Sequence, residues 1–201
     1  MAVLLSLLVA SAAVAESDSI WHALRNRYLG LETLSGRFQE QICSELEGTC
    51  QAFEGSFVTR PPAEYRLEVT DPTRQSIVAN DTVMWFHFPD ENRAVRQSQG
   101  GGIPLLAFLG PVTDSLSSAR IVDDTTGLLK LAVIQADTFM TAMNDLVLTL
   151  DKAGTMIAGF EFYDSWNNHY RFELSGQKWN AEVPEGAFVF APPEGTAVEG
   201  D

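Results

Sequence analysis

Residues 53–69 read Phe53-Glu54-Gly55-Ser56-Phe57-Val58-Thr59-Arg60-Pro61-Pro62-Ala63-Glu64-Tyr65-Arg66-Leu67-Glu68-Val69. Phe53, Gly55 and Phe57 fall on every second position. Beyond the Pro-Pro turn, Tyr65, Leu67 and Val69 alternate with Glu64, Arg66 and Glu68. A period of two sends one set to an apolar face and the other to water, which is the pattern of half-buried antiparallel strands. The same period continues outward. Upstream, Phe38, Glu40 and Ile42 alternate with Arg37, Gln39 and Gln41; downstream, Ser76–Ala79 and Val83–Phe88 flank Asn80-Asp81, residues suited to a tight turn. Further strands are expected at Arg93–Gln97, Leu128–Ile134, Asp145–Leu150, Thr155–Tyr163, His169–Ser175 and Phe188–Phe190, with hairpin turns at Asp151–Gly154 and Ser165–Asn168. Ser17–Gly30 reads as a helix, because Ile20, Leu24, Tyr28 and Leu31 recur at helical spacing behind Ser17 or Asp18 as a cap. A meander of ten or so short strands, with no linker and no repeat, makes one antiparallel sheet, and a sheet that wide must curl.

The chain has 201 residues, with 13 Lys and Arg against 27 Asp and Glu, a formal net charge of −14. That balance excludes nucleic acid and anionic membrane surfaces as partners, since both are bound through basic side chains. Hydrophobic residues make up 45%, enough for a folded core. Residues 2–15, AVLLSLLVASAAVA, are uncharged and end on Ala13-Val14-Ala15 before Glu16. This reads as a signal peptide on residues 1–15, cleaved near Ala15, ahead of a single domain on residues 16–201; a buried N-terminal helix is the alternative. The run is too short for a bilayer span of about 20 residues. Export to an oxidising compartment suits Cys43 and Cys50, which fit a disulfide near the turn of a β-hairpin. A metal held by the pair would need a second Cys or His pair, and none stands nearby in the sequence.

Gly100-Gly101-Gly102-Ile103-Pro104-Leu105-Leu106-Ala107-Phe108-Leu109-Gly110-Pro111 interrupts the strands with a pliable, apolar segment that could lie across the mouth of the curled sheet. Several strands are apolar on both faces: Met84, Phe86 and Phe88 against Val83 and Trp85, and Phe160 and Phe162 against Ile157 and Tyr163. A closed barrel filled by its own side chains would accept this pattern. A half-barrel with an apolar pocket accepts it too, and 12 Phe, 4 Trp and 4 Tyr suit a fillable cavity. Catalysis finds no site: His22, His87 and His169 stand on unlike elements, and there is no nucleophile elbow, phosphate loop or histidine metal motif. No cofactor and no enzyme activity are expected. Asp123-Asp124 and Glu45 with Glu47 read as solvated turns.

Four stretches in register resemble the periplasmic outer-membrane lipoprotein carrier family. They are Leu34-Ser35-Gly36-Arg37-Phe38-Gln39 after the helix, Gly55-Ser56-Phe57-Val58-Thr59-Arg60-Pro61, Ile77–Pro89, and Phe188-Val189-Phe190-Ala191-Pro192-Pro193-Glu194-Gly195, which looks like the family's closing strand. The resemblance implies an unclosed β-barrel of antiparallel strands, with a helical lid over a hydrophobic cavity for acyl chains. It also implies a monomer in the periplasm that takes triacylated lipoproteins from an inner-membrane lipoprotein-releasing ABC transporter to an outer-membrane acceptor. The family's functional arginine falls on Arg60, where it would bond to lid backbone and let go as cargo enters. Candidates for the cavity wall are Phe38, Phe57, Tyr65, Leu67, Trp85 and Phe86, with Phe160 and Phe162; Ile103, Leu105, Leu106 and Phe108 are candidates for the lid. The aromatic after Arg-Pro comes one residue late, as Tyr65, and the family's Asp-Gly turn is Asn80-Asp81 here. A carrier or sensor of another lipid or glycolipid on the same fold is the alternative function, and a purely structural envelope protein the third.

Overall fold

A computed structural model describes residues 19–98, 116–123, 128–135 and 144–200 of the chain. Its strands stop where local turn chemistry takes over. β1 (Leu34–Ser44) and β2 (Thr49–Arg60) meet at a turn where Gly48, at φ +64°, donates its N–H to the Ser44 carbonyl at 2.9 Å. The Cys43–Cys50 disulfide joins two directly opposed residues beside that turn. β3 (Glu64–Asp71), β4 (Gln75–Ala79) and β5 (Val83–Phe88) follow. Between β4 and β5 the Asn80 side-chain oxygen accepts the N–H groups of Thr82 and Val83 at 3.1 and 3.2 Å, closing the turn the sequence suggests. A 3-10 turn at Pro89–Glu91 leads into β6 (Arg93–Ser98). β7 (Leu116–Asp123), β8 (Lys130–Gln135), β9 (Asn144–Leu150), β10 (Ile157–Tyr163), β11 (His169–Trp179) and β12 (Ala197–Gly200) complete the set. The Asp151 carboxylate accepts the N–H of Thr155 at 2.7 Å and of Met156 at 3.0 Å, so β10 begins at Ile157 rather than Thr155. Asp164 does the same for Trp166 and Asn168, both at 2.9 Å, and fixes the β10–β11 turn.

The strands form one sheet in the order β12-β6-β5-β4-β3-β2-β1-β11-β10-β9-β8-β7. Neighbours are antiparallel except β12, which runs parallel to β6. β12 and β7 lie at opposite ends of that order and do not pair, so the sheet is unclosed. Three strands differ from the sequence reading, β12 at Ala197–Gly200 being one it did not expect. β7 was not legible, and Phe188–Phe190 is not a strand: residues 185–188 form a turn between Pro184 and the Pro192-Pro193 pair. Proline offers no N–H to a ladder, and the segment instead lies flat on the outer face, leaving Ala197–Gly200 as the final strand.

α1 (residues 19–29) lies against one face of this sheet. Trp21, Leu24 and Tyr28 are buried on one side of the helix at the spacing of its turns, followed by Leu31. The Tyr28 ring meets Trp179 edge-on at 4.7 Å, and the Ile157 N–H donates to the Tyr28 hydroxyl at 3.1 Å. The helix therefore covers the end of the face where β1, β10 and β11 carry Leu34, Ile157 and Trp179. The capping residues Ser17 and Asp18 lie outside the described residues, as does the 1–15 segment. On β1 and β2, two directly opposed pairs set a ring over a glycine: Phe57 on Gly36 and Phe38 on Gly55. A Cβ at Gly36 would come within 3.0 Å of the Phe57 ring, and glycine lets the ring lie close to the sheet.

The opposite face carries a smaller apolar layer. Val78 and Ala94 are buried there beneath the C-terminal segment with Phe188, apart from the main core. Phe190 packs on Trp85 and His87 at 5.4 and 5.0 Å. The segment is held by Arg66, which donates to the Ala187 carbonyl at 3.3 Å, and by Asn80, which donates to the Phe188 carbonyl at 3.5 Å. This cover explains why β5 is apolar on both sides.

Removing the disulfide tests how much the β1–β2 tip depends on it. The two cysteines are 7 residues apart, and closing so short a loop contributes about 2 to 3 kcal/mol in the chain-entropy account. A Cys43→Ser/Cys50→Ser double variant is expected to lose that much in urea unfolding while keeping the wild-type far-ultraviolet spectrum. An unchanged midpoint would show that the hairpin is held by its pairing alone.

Candidate functional site

Cross-strand register decides which side chains share the concave face. Phe38 opposes Gly55, Phe57 opposes Leu67, and Leu67 opposes Ile77, which opposes Phe86; on the other side of β1, Phe38 opposes Leu174. Tyr65, opposite Thr59, joins the same face, and its hydroxyl donates to the Met84 sulfur at 2.9 Å. Across β10 and β11 the rings stack in pairs, Phe160 on Phe172 at 4.4 Å and Phe162 on Tyr170 at 4.8 Å. Seven of the cavity candidates, Phe38, Phe57, Tyr65, Leu67, Phe86, Phe160 and Phe162, thus lie in one apolar layer. Trp85 is a correction: it opposes Val78 on the outer face and packs against Phe190, because its neighbours Met84 and Phe86 take the inner positions. Ile103, Leu105, Leu106 and Phe108 lie outside the described residues.

Burial is graded along this face. Beneath α1, Leu34 and Leu150 are fully enclosed, whereas Ile42, Phe53 and Tyr170 toward the disulfide end, and Ile77 and Phe86 on β4 and β5, are only partly buried. A carrier surface needs apolar area that a ligand can cover, and this is where it is. The grooves on the convex face are of another kind. One is lined by Lys130, Glu161, Arg171 and Glu173 together with Leu128 and Leu174, and Glu161 there meets Lys130, Arg171 and His169 at 3.3, 3.3 and 3.4 Å. Burial alone would raise the Glu161 carboxyl, but the neighbouring Lys130 and Arg171 charges hold it below the usual carboxylate range. Laying hydrocarbon over that charged cluster would cost the solvation of its ions. Among the described residues no group of His, Cys, Asp and Glu could hold a metal ion.

Glu40 is the functional candidate that the sequence reading passed over. It sits on the concave side of β1 between Phe38 and Ile42, opposite Phe53 on β2 and Phe172 on β11. Burial pushes its carboxyl up to about 7. The signal was present, as a charged residue at an apolar position of the period-two pattern.

Arg60 ends β2 on the outer face. Its guanidinium donates to the Glu64 carboxylate at 2.8 Å and lies 5.0 Å from the centre of the Phe188 ring, with its side chain 45% exposed. The 103–108 segment to which it was expected to bond is outside the described residues.

An unclosed antiparallel half-barrel, with a helix in its concavity and an accessible apolar wall beside it, is the form of a binding protein for apolar ligands. The chain belongs to the family described as Outer membrane lipoprotein carrier protein LolA, which matches residues 30–191. Among its relatives is the outer-membrane lipoprotein carrier protein of Chromobacterium violaceum, 27% identical over 86% of this chain and 84% of that one. That of Methylibium petroleiphilum is 25% identical over 96% of this chain and 95% of its own. Two solved structures share the fold. An uncharacterised conserved protein from Thermus thermophilus superposes with a TM-score of 0.56 at 14% identity, covering 92% of this chain and 99% of that one. A putative outer membrane lipoprotein-sorting protein domain from Vibrio parahaemolyticus gives 0.50 at 11% identity, covering 88% and 97%.

Proposed function

We propose that the chain is a periplasmic chaperone that carries outer-membrane lipoproteins, holding their acyl chains against the concave face. The observation that carries this reading is that apolar side chains of the same face, Ile42, Phe53 and Tyr170 on β1, β2 and β11 with Ile77 and Phe86 on β4 and β5, are left only partly buried beside a fully enclosed core. Family membership supports the cargo class. Burying one 16-carbon chain is worth roughly 12 kcal/mol against water. A carrier must nearly match that without exceeding the hold of its acceptor, which an adaptable groove does better than a tight one. Residues 1–15 direct export and are removed near Ala15, leaving 16–201 as the working unit, a monomer without catalytic activity or cofactor. Its donor is a lipoprotein-releasing ABC transporter of the inner membrane and its recipient an outer-membrane acceptor. The charge of −14 keeps it from anionic lipid surfaces, so that it unloads only where a receptor receives it.

Arg60 is the transfer residue in this reading. Its pairing with Glu64 is a half-exposed ion pair, and such pairs are worth about 0 to 1 kcal/mol, so the guanidinium is free to exchange it for lid backbone in 103–108. Arg60→Leu is expected to fold with a stability within about 1 kcal/mol of wild type and to fail in loading or unloading. The assay is release of a triacylated lipoprotein from inner-membrane vesicles into the soluble fraction, followed by its transfer to outer-membrane vesicles. Wild-type transfer in the variant would remove Arg60 from the mechanism, and failure of the wild-type chain to release any lipoprotein would overturn the proposed function.

A further inference from the structure

We propose that Glu40 is the specificity-determining residue of the concave face, admitting acyl chains attached through an ester or amide carbonyl and rejecting free fatty acids; this rests on reading that face as the acyl-chain site. The geometry is unusual for a carboxyl. Glu40 stands near the middle of the sheet, with Phe38 and Ile42 on its own strand and Phe53 and Phe172 directly across on both sides. From β10 the rings of Phe160 and Phe162 complete the apolar surround. Among the described residues its carboxyl has no hydrogen bond and no ion pair, and burial is what raises it. Tyr170 is the titratable group facing it from β11, and the Tyr170 hydroxyl donates to Asp164 at 3.4 Å. No described lysine, arginine or histidine shares its face on β2, β10 or β11.

A carboxyl with no partner among the described residues is costly to ionise in so apolar a surround, and a ligand that offers it a hydrogen bond relieves the cost. Near neutral pH the group is about half protonated, and a neutral carboxyl has one O–H to donate. The carbonyl oxygens at the root of ester- and amide-linked acyl chains are acceptors and match it. A free fatty acid brings a second carboxylate into the same apolar site, where the two are accommodated only by taking up one proton to share, at a cost that rises with pH and that an ester does not incur. The site therefore distinguishes by linkage what a plain hydrocarbon groove would accept alike.

The test compares 1-lauroylglycerol with laurate at pH 8, by calorimetry or displacement of a fluorescent acyl probe, on the wild-type chain, Glu40→Gln and Glu40→Leu. The wild type is expected to prefer the ester by about tenfold or more. In Glu40→Gln, whose amide still donates, ester binding is retained and laurate tightens until the preference largely disappears. Glu40→Leu also loses the rejection of laurate and in addition weakens for the ester. A wild type without preference, or a Glu40→Gln variant that keeps the full preference, would overturn the assignment. If wild type and variants all fail to bind either probe while remaining folded, the acyl-carrier reading itself falls, and the role of Glu40 with it.

Discussion

Gly55→Ala is expected to destabilise the chain by about 3 kcal/mol or more, although it adds a single methyl group. A Cβ at this position would stand 2.0 Å from the Glu68 carbonyl oxygen and 2.9 Å from both the Glu68 carbonyl carbon and the Phe38 ring. Two of these atoms are backbone of the neighbouring strand, which cannot turn aside as a flexible side chain could. The site also coincides with the shift in register between β2 and β3. Relief requires opening the β2–β3 ladder or displacing Phe38, which is nearly fully buried in the concave layer. Gly30→Ala serves as the control, since the nearest atom to its Cβ is 3.7 Å away; there the change should stay within about 1 kcal/mol of wild type. Urea unfolding at constant m-value separates the two, and equal midpoints would show that β2 and β3 part more easily than their spacing implies.

Glu40 makes the native state less stable as pH rises. Its carboxyl is raised in the folded protein from 4.5 to about 7. Native protein therefore binds the proton more tightly than the unfolded chain does. The resulting contribution is fully present below pH 4.5 and is lost as pH passes through about 7. The full loss is about 3 kcal/mol from the size of the shift. Glu40→Gln keeps the shape and removes the charge, so unfolding midpoints for the variant and wild type should converge near pH 4 and diverge at pH 8 in favour of the variant. Asp151 and Asp164 act in the opposite sense. Although desolvation opposes it, the hydrogen bonds of the turns they anchor hold both carboxyls below their usual range. Their contribution is present above the ordinary Asp range and is lost only on strong acidification, outside the Glu40 window. Parallel wild-type and Glu40→Gln profiles from pH 4 to 8 would show that the carboxyl is solvated after all.

Most strands and their turns could be read from the sequence because each declares itself locally. Tyr65, Leu67 and Val69 against Glu64, Arg66 and Glu68 fix both the strand and its faces, and Asn80, Asp151 and Asp164 mark the turns that their side chains close. The disulfide followed from spacing and compartment. What escaped was set by distant partners. Phe188 and Phe190 look like strand residues, yet their apolar surface is used against Arg60, Trp85 and His87 on the outer face. Trp85 was ambiguous for the same reason: a strand apolar on both sides does not say which side faces the helix. β7 carries few large apolar residues to announce it. In the candidate site the apolar layer is legible in the sequence and the role of Glu40 is not, because a lone charge in an alternating pattern gains meaning only once Phe53 and Phe172 are known to flank it.

In the proposed function the concave face holds the acyl chains of a lipoprotein. Native mass spectrometry tests it most directly, on the chain purified gently from the periplasm of cells that also produce a triacylated lipoprotein. The expected spectrum contains the processed chain bound one-to-one to the lipoprotein with its acyl chains intact, and the Arg60→Leu variant shows altered occupancy. A free lipid in place of the lipoprotein would reassign the cargo, and a bare chain that takes up no acylated ligand even when one is added would contradict the carrier function.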